Sequence, residues 1–274
     1  MKLPVLPLLL MILALPVPAA AGEAPSLTLT VIESRPRQAD SYTQGLFFHR
    51  GGLFESSGLY GRSALTRWDF KNDQAGERKQ KVSLPDRYFA EGAVIAEGEL
   101  YLLTWKEETC LVFDPASLEI KRVLPYKGEG WGLAWDGKLL WRSDGSACLH
   151  PHNPGDFSPA GPPVKVKTQG LEVRQLNELE WDPVTGLMLA NVYGLDLAAA
   201  IDLSDGQVKF WLDGRPLRVL AENDGLAATG NSMDVVLNGL ALDGDSLWLT
   251  GKLWPRLYKV IWPPKEIKEP APGQ

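Results

Sequence analysis

The sequence has 274 residues, a formal net charge of −6 at pH 7 and 45% hydrophobic residues. An acidic chain without a run of basic residues is a poor candidate for binding nucleic acid, so no nucleic-acid partner is expected. Beyond the N-terminal segment, no stretch is apolar and long enough to cross a bilayer, so no membrane association of the mature protein is expected.

Residues 1–21 have the composition of a secretory signal peptide. Lys2 precedes the apolar run at residues 8–13, and alanines at 19–21 supply small residues for cleavage. Prolines interrupt the segment, whose uninterrupted apolar part is well short of the roughly 20 residues that span a bilayer. A cleaved signal is therefore favoured over a membrane anchor, and the mature protein is expected in the periplasm or outside the cell.

Residues 26–34 alternate apolar and polar side chains with a period of two, which predicts a β-strand. Five stretches with a common pattern follow this strand. Each opens an apolar run that ends at a Gly-containing turn, after which a second short strand is predicted. The stretches are Gln44-Gly45-Leu46, Glu91-Gly92-Ala93, Trp131-Gly132-Leu133, Asn177-Glu178-Leu179 and Asn238-Gly239-Leu240.

Successive stretches lie 40 to 61 residues apart. A repeat of about 40–50 residues made of several short strands is typical of a β-propeller blade. The sequence therefore predicts an all-β, five-bladed β-propeller. The fifth repeat stops after its third strand, at residues 257–261, so the strand at 26–34 is expected to supply its missing outer strand. This pairing would close the ring and cover its edges.

The propeller domain is accordingly placed at residues 26–264. A long insertion in the fourth repeat, residues 214–236, is predicted to hold a short helix at 216–222 and a mobile part at 225–231. The tail, residues 265–274, is rich in Pro and Glu and is expected to be disordered.

One mouth of the predicted channel collects the candidate functional residues. The first residues of the five stretches are equivalent and would ring this mouth, with Glu91 as the single charged member. A second repeated position, where the second strand of a repeat ends, lies at the same mouth because strand direction alternates. The candidates at the mouth are Gln44, Glu91, Trp105, Trp131, Asn177, Tyr193, Asn238 and Lys252.

These residue types indicate a site for acid–base chemistry rather than a solvated rim of the channel. A carboxyl in a partly desolvated site has its pKa raised toward neutrality, where it can exchange protons, and amides and Lys can bind a developing oxyanion. Structural alternatives stay open: an amide such as Gln44 can satisfy the backbone of a neighbouring blade, and Trp105 or Trp131 can belong to the core.

Metal chemistry is not expected, and neither a metal nor a cofactor is assigned. No Cys/His cluster has the spacing of zinc ligands. His150 and His152 are separated by a single proline and are expected to face solvent. Glu180 and Asp182 could hold a cation near the channel, but the favoured interpretation is a run of surface acids.

Cys110 and Cys148 fall on the same strand of consecutive repeats. Equivalent positions on neighbouring blades diverge from the axis, whereas a disulfide needs Cα atoms within about 7 Å. Two buried, inert thiols are therefore favoured over a disulfide.

The candidate residues lie in motifs by which the chain resembles the glutamine cyclotransferase family, the plant-type glutaminyl-peptide cyclotransferases that also occur in bacteria. The resemblance extends from about Tyr42 to Pro255. Its motifs include Thr43-Gln44-Gly45-Leu46, Glu91-Gly92, Gly130-Trp131-Gly132-Leu133, Leu176-Asn177-Glu178-Leu179-Glu180 and Thr250-Gly251-Lys252-Leu253-Trp254-Pro255. The family fold is a five-bladed propeller, in agreement with the repeat count.

The resemblance implies an enzyme that cyclises the N-terminal glutamine of peptides or proteins to pyroglutamate, releasing ammonia without a catalytic metal. A monomer is the default expectation. By motif, Glu91 matches the family's general acid/base. Gln44, Asn177 and Lys252 match its polar site residues, and Trp105 and Trp131 match its aromatic ones. Tyr193 stands where the family usually has Trp, and Asn238 is counted with the substrate-binding residues.

Two other functions are kept as alternatives. A non-catalytic propeller could bind peptide or sugar at the aromatic mouth, and a calcium-dependent propeller lactonase would hold a cation there. The presence of Glu91 and Lys252 argues against pure binding, and the scarcity of carboxylates in the ring argues against the lactonase.

Overall fold

A computed structural model describes residues 24–37, 40–70, 77–226 and 232–263. Two short strands come first, β1 (Ser26–Thr28) and β2 (Val31–Pro36). Blade 1 contains β3 (Thr43–His49), β4 (Gly52–Ser57), β5 (Ala64–Asp69) and β6 (Glu77–Ser83). Blade 2 contains β7 (Ala90–Ala96), β8 (Glu99–Thr104), β9 (Thr109–Phe113) and β10 (Ile120–Pro125).

The remaining three blades follow the same up-and-down order. Blade 3 contains β11 (Leu133–Trp135), β12 (Leu140–Arg142), β13 (Cys148–His152) and β14 (Val164–Lys165). A small hairpin follows it, β15 (Lys167–Thr168) and β16 (Leu171–Glu172). Blade 4 contains β17 (Leu176–Asp182), β18 (Leu187–Val192), β19 (Leu197–Ile201) and β20 (Val208–Asp213). Blade 5 contains β21 (Leu237–Asp243), β22 (Ser246–Gly251) and β23 (Arg256–Ile261).

The five blades form a closed ring, which confirms the predicted five-bladed propeller. The first strands of the blades contact one another in turn around the axis, from β3 to β7, β11, β17 and β21, and back to β3. Between each pair of adjacent blades lies one cluster of buried apolar side chains. The apolar runs of the repeats therefore supply the packing between blades.

A circle of hydrogen bonds joins neighbouring blades at one mouth of the channel. The bonds of this interblade belt run from Ser56 Oγ to Glu91 O (2.5 Å), Gly92 N to Trp131 O (2.6 Å), Ser143 Oγ to Asn177 O (2.7 Å), Gly239 N to Asn191 Oδ1 (3.0 Å) and Asn238 Nδ2 to Thr43 O (2.8 Å). Every junction between two blades has at least one such bond, and each bond named here involves a repeat stretch or its neighbour.

Glycine is required where the belt is tightest. A Cβ on Gly92 would lie 2.4 Å from Leu133 N, and one on Gly132 would lie 2.0 Å from Asn177 O. Neither distance can be tolerated, so a side chain at either position would force adjacent blades apart. The glycine in these repeat stretches is thus explained by close approach of backbones.

The N-terminal segment pairs with two blades. β1 runs parallel to β20 on blade 4, and β2 is antiparallel to β23 as the outermost strand of blade 5. The single strand predicted at 26–34 is therefore two strands, separated at residues 29–30 where the chain passes from one blade to the next. That the pairing of β2 closes and stabilises the ring stays a prediction.

The insertion of the fourth repeat contains the expected helix, α1 (Arg215–Asn223), which buries Leu217 and Ala221. A 3₁₀ helix, Ser232–Val235, leads into blade 5. The proposed signal peptide, the tail and most of the loop expected to be mobile lie outside the described residues, so the domain boundaries stay predictions. Across 24–37, 40–70, 77–226 and 232–263, no helix is long and apolar enough to span a membrane.

Three expectations about ionisable side chains are wrong. His152 is buried. Its Nδ1 lies 2.8 Å from Phe157 O, its ring stacks on Phe157, and Arg142 donates to its Nε2. Asp182 is also buried, where it accepts from Trp262 Nε1 at 2.7 Å, and Glu180 accepts from Leu242 N at 2.8 Å. Neither acid belongs to a solvated surface run.

Both cysteines are free, as expected. Cys110 is buried, and burial raises the pKa of its thiol far above the ordinary value. Cys148 is partly exposed, so the expectation that both thiols are buried holds only for Cys110.

Arg37 ties the end of the N-terminal segment to blades 1 and 5. Its guanidinium forms a buried ion pair with Glu55 and donates to Thr250 Oγ1 at 2.8 Å and Thr43 Oγ1 at 3.0 Å. Its backbone N–H donates to Pro255 O at 2.9 Å. These contacts hold together the two blades that the chain must join to complete the ring.

Replacing Arg37 by Met should lower the free energy of unfolding by about 3–5 kcal/mol, because the buried Glu55 carboxylate loses its partner. The double variant Arg37→Met/Glu55→Met should lose much less. Denaturant unfolding at pH 7 measures both. As a control, Arg174→Met removes an exposed pair with Glu172 and should cost under about 1 kcal/mol. Equal losses in the single and double variants would show that the buried pair has no such role.

Candidate active site

The repeat stretches place their first side chains through irregularities in the inner strands. The pairing of the first two strands shifts register at the stretch in blades 1, 2, 4 and 5, next to Gln44, Glu91, Asn177 and Asn238. A bulge sets two residues against one partner and re-aims a side chain, and such bulges are frequent beside active sites. Here they occur at the mouth where the interblade belt runs.

A pocket of about 200 Å³ opens at this mouth. It is lined by Tyr42, Gln44, Leu59, Phe89, Glu91, Trp105, Trp131, Asn177, Tyr193 and Lys252. Seven of the eight candidates from the sequence therefore share one cavity, and they come from all five blades. The pocket combines one carboxyl, one amine and two amides with an aromatic wall.

Asn238 is the candidate that does not line the pocket. Its Nδ2 donates to Thr43 O at 2.8 Å and lies 3.3 Å from Gln44 Oε1, so the amide is directed at blade 1. Asn238 therefore contacts Gln44 and the backbone of blade 1 instead of lining the pocket. This arrangement corresponds to the alternative in which a channel amide satisfies the backbone of a neighbouring blade.

Gln44 is the centre of the polar network in the pocket. Its Oε1 accepts from Lys252 Nζ at 2.8 Å, and its Nε2 donates to Glu91 Oε1 at 3.2 Å. One amide therefore separates a carboxyl group from an ammonium group and contacts both. All three side chains are at least 96% buried.

Burial changes the acidity of both ionisable groups. It raises the pKa of Glu91 well above the ordinary carboxyl value; Lys252 opposes this effect, while Glu129 and Glu107 add to it. Burial also lowers the pKa of Lys252 to about 8, although Glu91 and Asp234 favour its charged form. Burial therefore shifts each pKa in the direction that favours the neutral form of the group.

Asn177 has an unused acceptor. Its side chain is 2% exposed, and its Oδ1 finds no hydrogen-bond donor within the part of the chain that the structure describes. An unpartnered buried polar atom costs about 1–3 kcal/mol. A substrate N–H group in the pocket would remove this cost.

Aromatic rings enclose the polar centre. Lys252 Nζ lies 4.6 Å from the ring centre of Tyr42 and 5.0 Å from that of Tyr193. Trp131 meets Tyr193 edge to face at 5.7 Å, and Phe89 meets Trp105 at 5.4 Å. Tyr193, the departure from the family pattern, therefore keeps an aromatic wall beside Lys252.

The sequence did not identify Tyr42, Phe89 or Glu129 as residues of the site. Each stands two residues before a repeat position, namely Gln44, Glu91 and Trp131. All three lie outside the strands, so the period of two that identifies a strand face could not find them, but their constant spacing from the repeat positions was a usable signal. Asp234, which accepts from Tyr42 OH at 3.3 Å, was also missed because it comes from the insertion, which has no counterpart in the other repeats.

Comparisons with known proteins agree on one relationship. The sequence pattern of the family described as glutamine cyclotransferase matches residues 5–261. The chain is 35% identical to the glutaminyl-peptide cyclotransferase of Arabidopsis thaliana over 238 residues, which covers 85% of this chain and 70% of the plant protein. It superposes on the crystal structure of Myxococcus xanthus glutaminyl cyclase with a TM-score of 0.78 and 32% identity, covering 87% of this chain and 97% of that one.

Removing the carboxylate of Asp234 should lower the pKa of Lys252 below about 8, because a nearby negative charge favours the ammonium form. Asp234→Asn makes this change and keeps an acceptor for Tyr42. An NMR titration of ¹³C-labelled lysine side chains measures it. Asp243→Asn, at the opposite end of β21, is the control and should leave the titration unchanged. A Lys252 titration that is identical in both variants and the wild type would exclude this influence of Asp234.

Proposed function

Because this chain belongs to the glutamine cyclotransferase family, we propose that it is a glutaminyl-peptide cyclotransferase acting on peptides or proteins with an N-terminal glutamine. The proposal is carried by one observation, the Gln44 amide that contacts a buried carboxyl and a buried ammonium in an aromatic pocket. The product would be an N-terminal pyroglutamyl peptide, with ammonia released.

The reaction needs one proton carrier and no second reactant. The α-amine of the substrate attacks its own γ-amide carbon, a C–N bond forms, and a five-membered ring closes. The C–N bond to the amide nitrogen then breaks and ammonia leaves. The amine loses one proton and the departing nitrogen gains one, so a single group that accepts and returns a proton serves both steps.

Glu91 is the residue proposed for this proton transfer. It is the one carboxyl among the residues that line the pocket, and burial raises its pKa well above the ordinary carboxyl value. It must be ionised to accept the proton of the amine. Its elevated pKa makes it a stronger base than an exposed carboxylate.

Lys252, Gln44 and Asn177 are proposed to hold the γ-amide and the oxyanion that forms from it. Lys252, with a pKa of about 8, is mostly charged at pH 7 and stabilises negative charge on oxygen. The Gln44 amide keeps Lys252 and Glu91 apart while it orients both. The free Oδ1 of Asn177 can accept from an N–H group of the substrate.

The aromatic residues are proposed to fold the substrate. Cyclisation requires the amine to approach the γ-carbon, and a bound conformation near the attack geometry can contribute several kcal/mol to lowering the barrier. Trp105, Trp131 and Tyr193 form walls of the pocket and also keep water from the reacting groups.

We propose that the reaction needs no metal ion. The donor set supports this, because the pocket offers one carboxyl, an amine and amides, with neither imidazole nor thiolate among its lining residues. In the residues that the structure describes, no group of three or more His, Cys, Asp or Glu side chains could hold a metal. A calcium-dependent lactonase would require a carboxylate-rich shell at this position.

We further propose that the enzyme works as a monomer in the periplasm or outside the cell. The composition of residues 1–21, which is typical of a secretory signal, supports export.

Glu91→Gln should reduce kcat by about 10²–10⁴-fold, because the amide preserves the shape of the side chain but cannot carry the proton. Release of ammonia from a Gln-initiated dipeptide measures the loss, and circular dichroism shows whether the variant is folded. Glu97→Gln changes an exposed acid just beyond β7 and serves as the control. A folded Glu91→Gln enzyme with near-normal kcat would remove Glu91 from the mechanism.

Exhaustive dialysis against a chelator should leave the rate of ammonia release unchanged, because no step of the proposed mechanism uses a metal. The same assay separates the alternatives. A binding propeller would release no ammonia from any Gln-initiated peptide. Loss of activity at a temperature where circular dichroism shows an intact fold, restored by calcium, would favour a metal mechanism of the lactonase type.

A further inference from the structure

Glu129 joins two walls of the pocket through one oxygen atom. Its Oε2 accepts from Trp105 Nε1 at 2.8 Å and from Trp131 Nε1 at 2.9 Å. Trp105 directly follows β8 of blade 2, whereas Trp131 precedes β11 of blade 3. The two indoles, which come from different blades, therefore share one carboxylate oxygen as their hydrogen-bond acceptor.

The backbone around Glu129 is itself firmly held. Its carbonyl oxygen accepts from Nη1 of the buried Arg142, and the next residue, Gly130, donates its N–H to Trp105 O at 2.9 Å. A Cβ on Gly130 would lie 2.1 Å from the hydroxyl oxygen of Tyr126, so only glycine allows this approach. The carboxylate is thus presented from a defined position.

We propose that Glu129 is a positioning residue of the reaction, which sets the separation of Trp105 and Trp131 and so the shape of the pocket around the N-terminal glutamine. The inference rests on the proposed function. Two rings that are free to rotate would leave the substrate several conformations, whereas two rings held on one oxygen favour the folded conformation from which the amine attacks.

The charge of Glu129 has a second, separable consequence. It is one of three charged groups that influence Glu91: Lys252 lowers the pKa of this carboxyl, while Glu129 and Glu107 raise it. Tyr42 and Tyr193 line the same pocket as neutral phenols, because burial and nearby carboxylates raise their pKa values. A negative charge held beside the tryptophans therefore supports the basicity of Glu91 as well as the geometry of the walls.

Two substitutions separate the two effects. In Glu129→Gln the amide oxygen can still accept from both indoles, but the charge is gone. In Glu129→Ala both the acceptor and the charge are lost. The control is Glu119→Gln, which removes an exposed charge of blade 2 outside the pocket.

For Glu129→Ala we expect kcat/KM for a Gln-initiated dipeptide to fall about tenfold or more, since small displacements of positioning groups have effects of this size. For Glu129→Gln we expect most of kcat/KM to remain at its optimal pH, with the acid limb of the pH profile moved to lower pH. The Nε1–H NMR signals of Trp105 and Trp131, assigned with Trp→Phe variants, should shift together in Glu129→Ala and stay near their wild-type positions in Glu129→Gln.

The wild-type assay comes first, since absence of ammonia release there would defeat the proposed function, whereas the NMR signals test the double hydrogen bond in either case. With an active wild type, kcat/KM within twofold of normal in Glu129→Ala would overturn the inference. An equal loss in both variants would overturn it too, because it would mean that the shared acceptor is not what matters. If Glu129→Ala does not fold, Glu129→Gln is the test. An acid limb at lower pH with indole signals near their wild-type positions would support the inference, and an unchanged acid limb or displaced indole signals would overturn it.

Discussion

The arrangement of the site depends on the interblade belt, the circle of hydrogen bonds that joins each blade to the next at one mouth. The belt forms because glycine at positions such as 92 and 132 lets adjacent backbones approach to hydrogen-bond distance. Bulges in the inner strands then direct Gln44, Glu91 and Asn177 into the same cavity. A side chain on Gly92 or Gly132 would separate blades and would also displace the site.

Buried acids deeper in the channel reinforce this arrangement. Glu178 accepts from Leu46 N and Leu240 N, so one carboxyl on blade 4 bonds to the inner strands of blades 1 and 5. Burial raises the pKa of Glu178 well above its ordinary value and that of Glu180 to about 8. Carboxyls in the channel therefore serve two purposes: Glu178 and Glu180 hold strands together, while Glu91 lies in a pocket open to substrate.

Much of the fold and of the site could be predicted from the sequence, because matching residues of the repeats occupy equivalent positions in the blades. Their spacing predicted propeller blades, their number predicted five, and the equivalence of Gln44, Glu91 and Asn177 placed these residues at one mouth. Asn238 has the same repeat position, yet its amide turns toward blade 1, and repetition does not encode the direction of a side chain. His152 and Asp182 were misjudged because their partners are remote along the chain or lie in irregular loops. Asp234 comes from an insertion without a repeat equivalent, so no pattern pointed to it.

In the proposed mechanism, the substrate's α-amine displaces its own γ-amide nitrogen in this pocket. The most direct test uses a peptide whose N-terminal glutamine carries ¹⁵N only in the γ-amide, incubated with the wild-type enzyme and analysed by mass spectrometry. All released ammonia should be ¹⁵N-labelled, with an unlabelled pyroglutamyl peptide formed in equal amount and faster than in enzyme-free buffer. Unlabelled ammonia, a product that keeps the label, or a rate equal to that in buffer would exclude this mechanism.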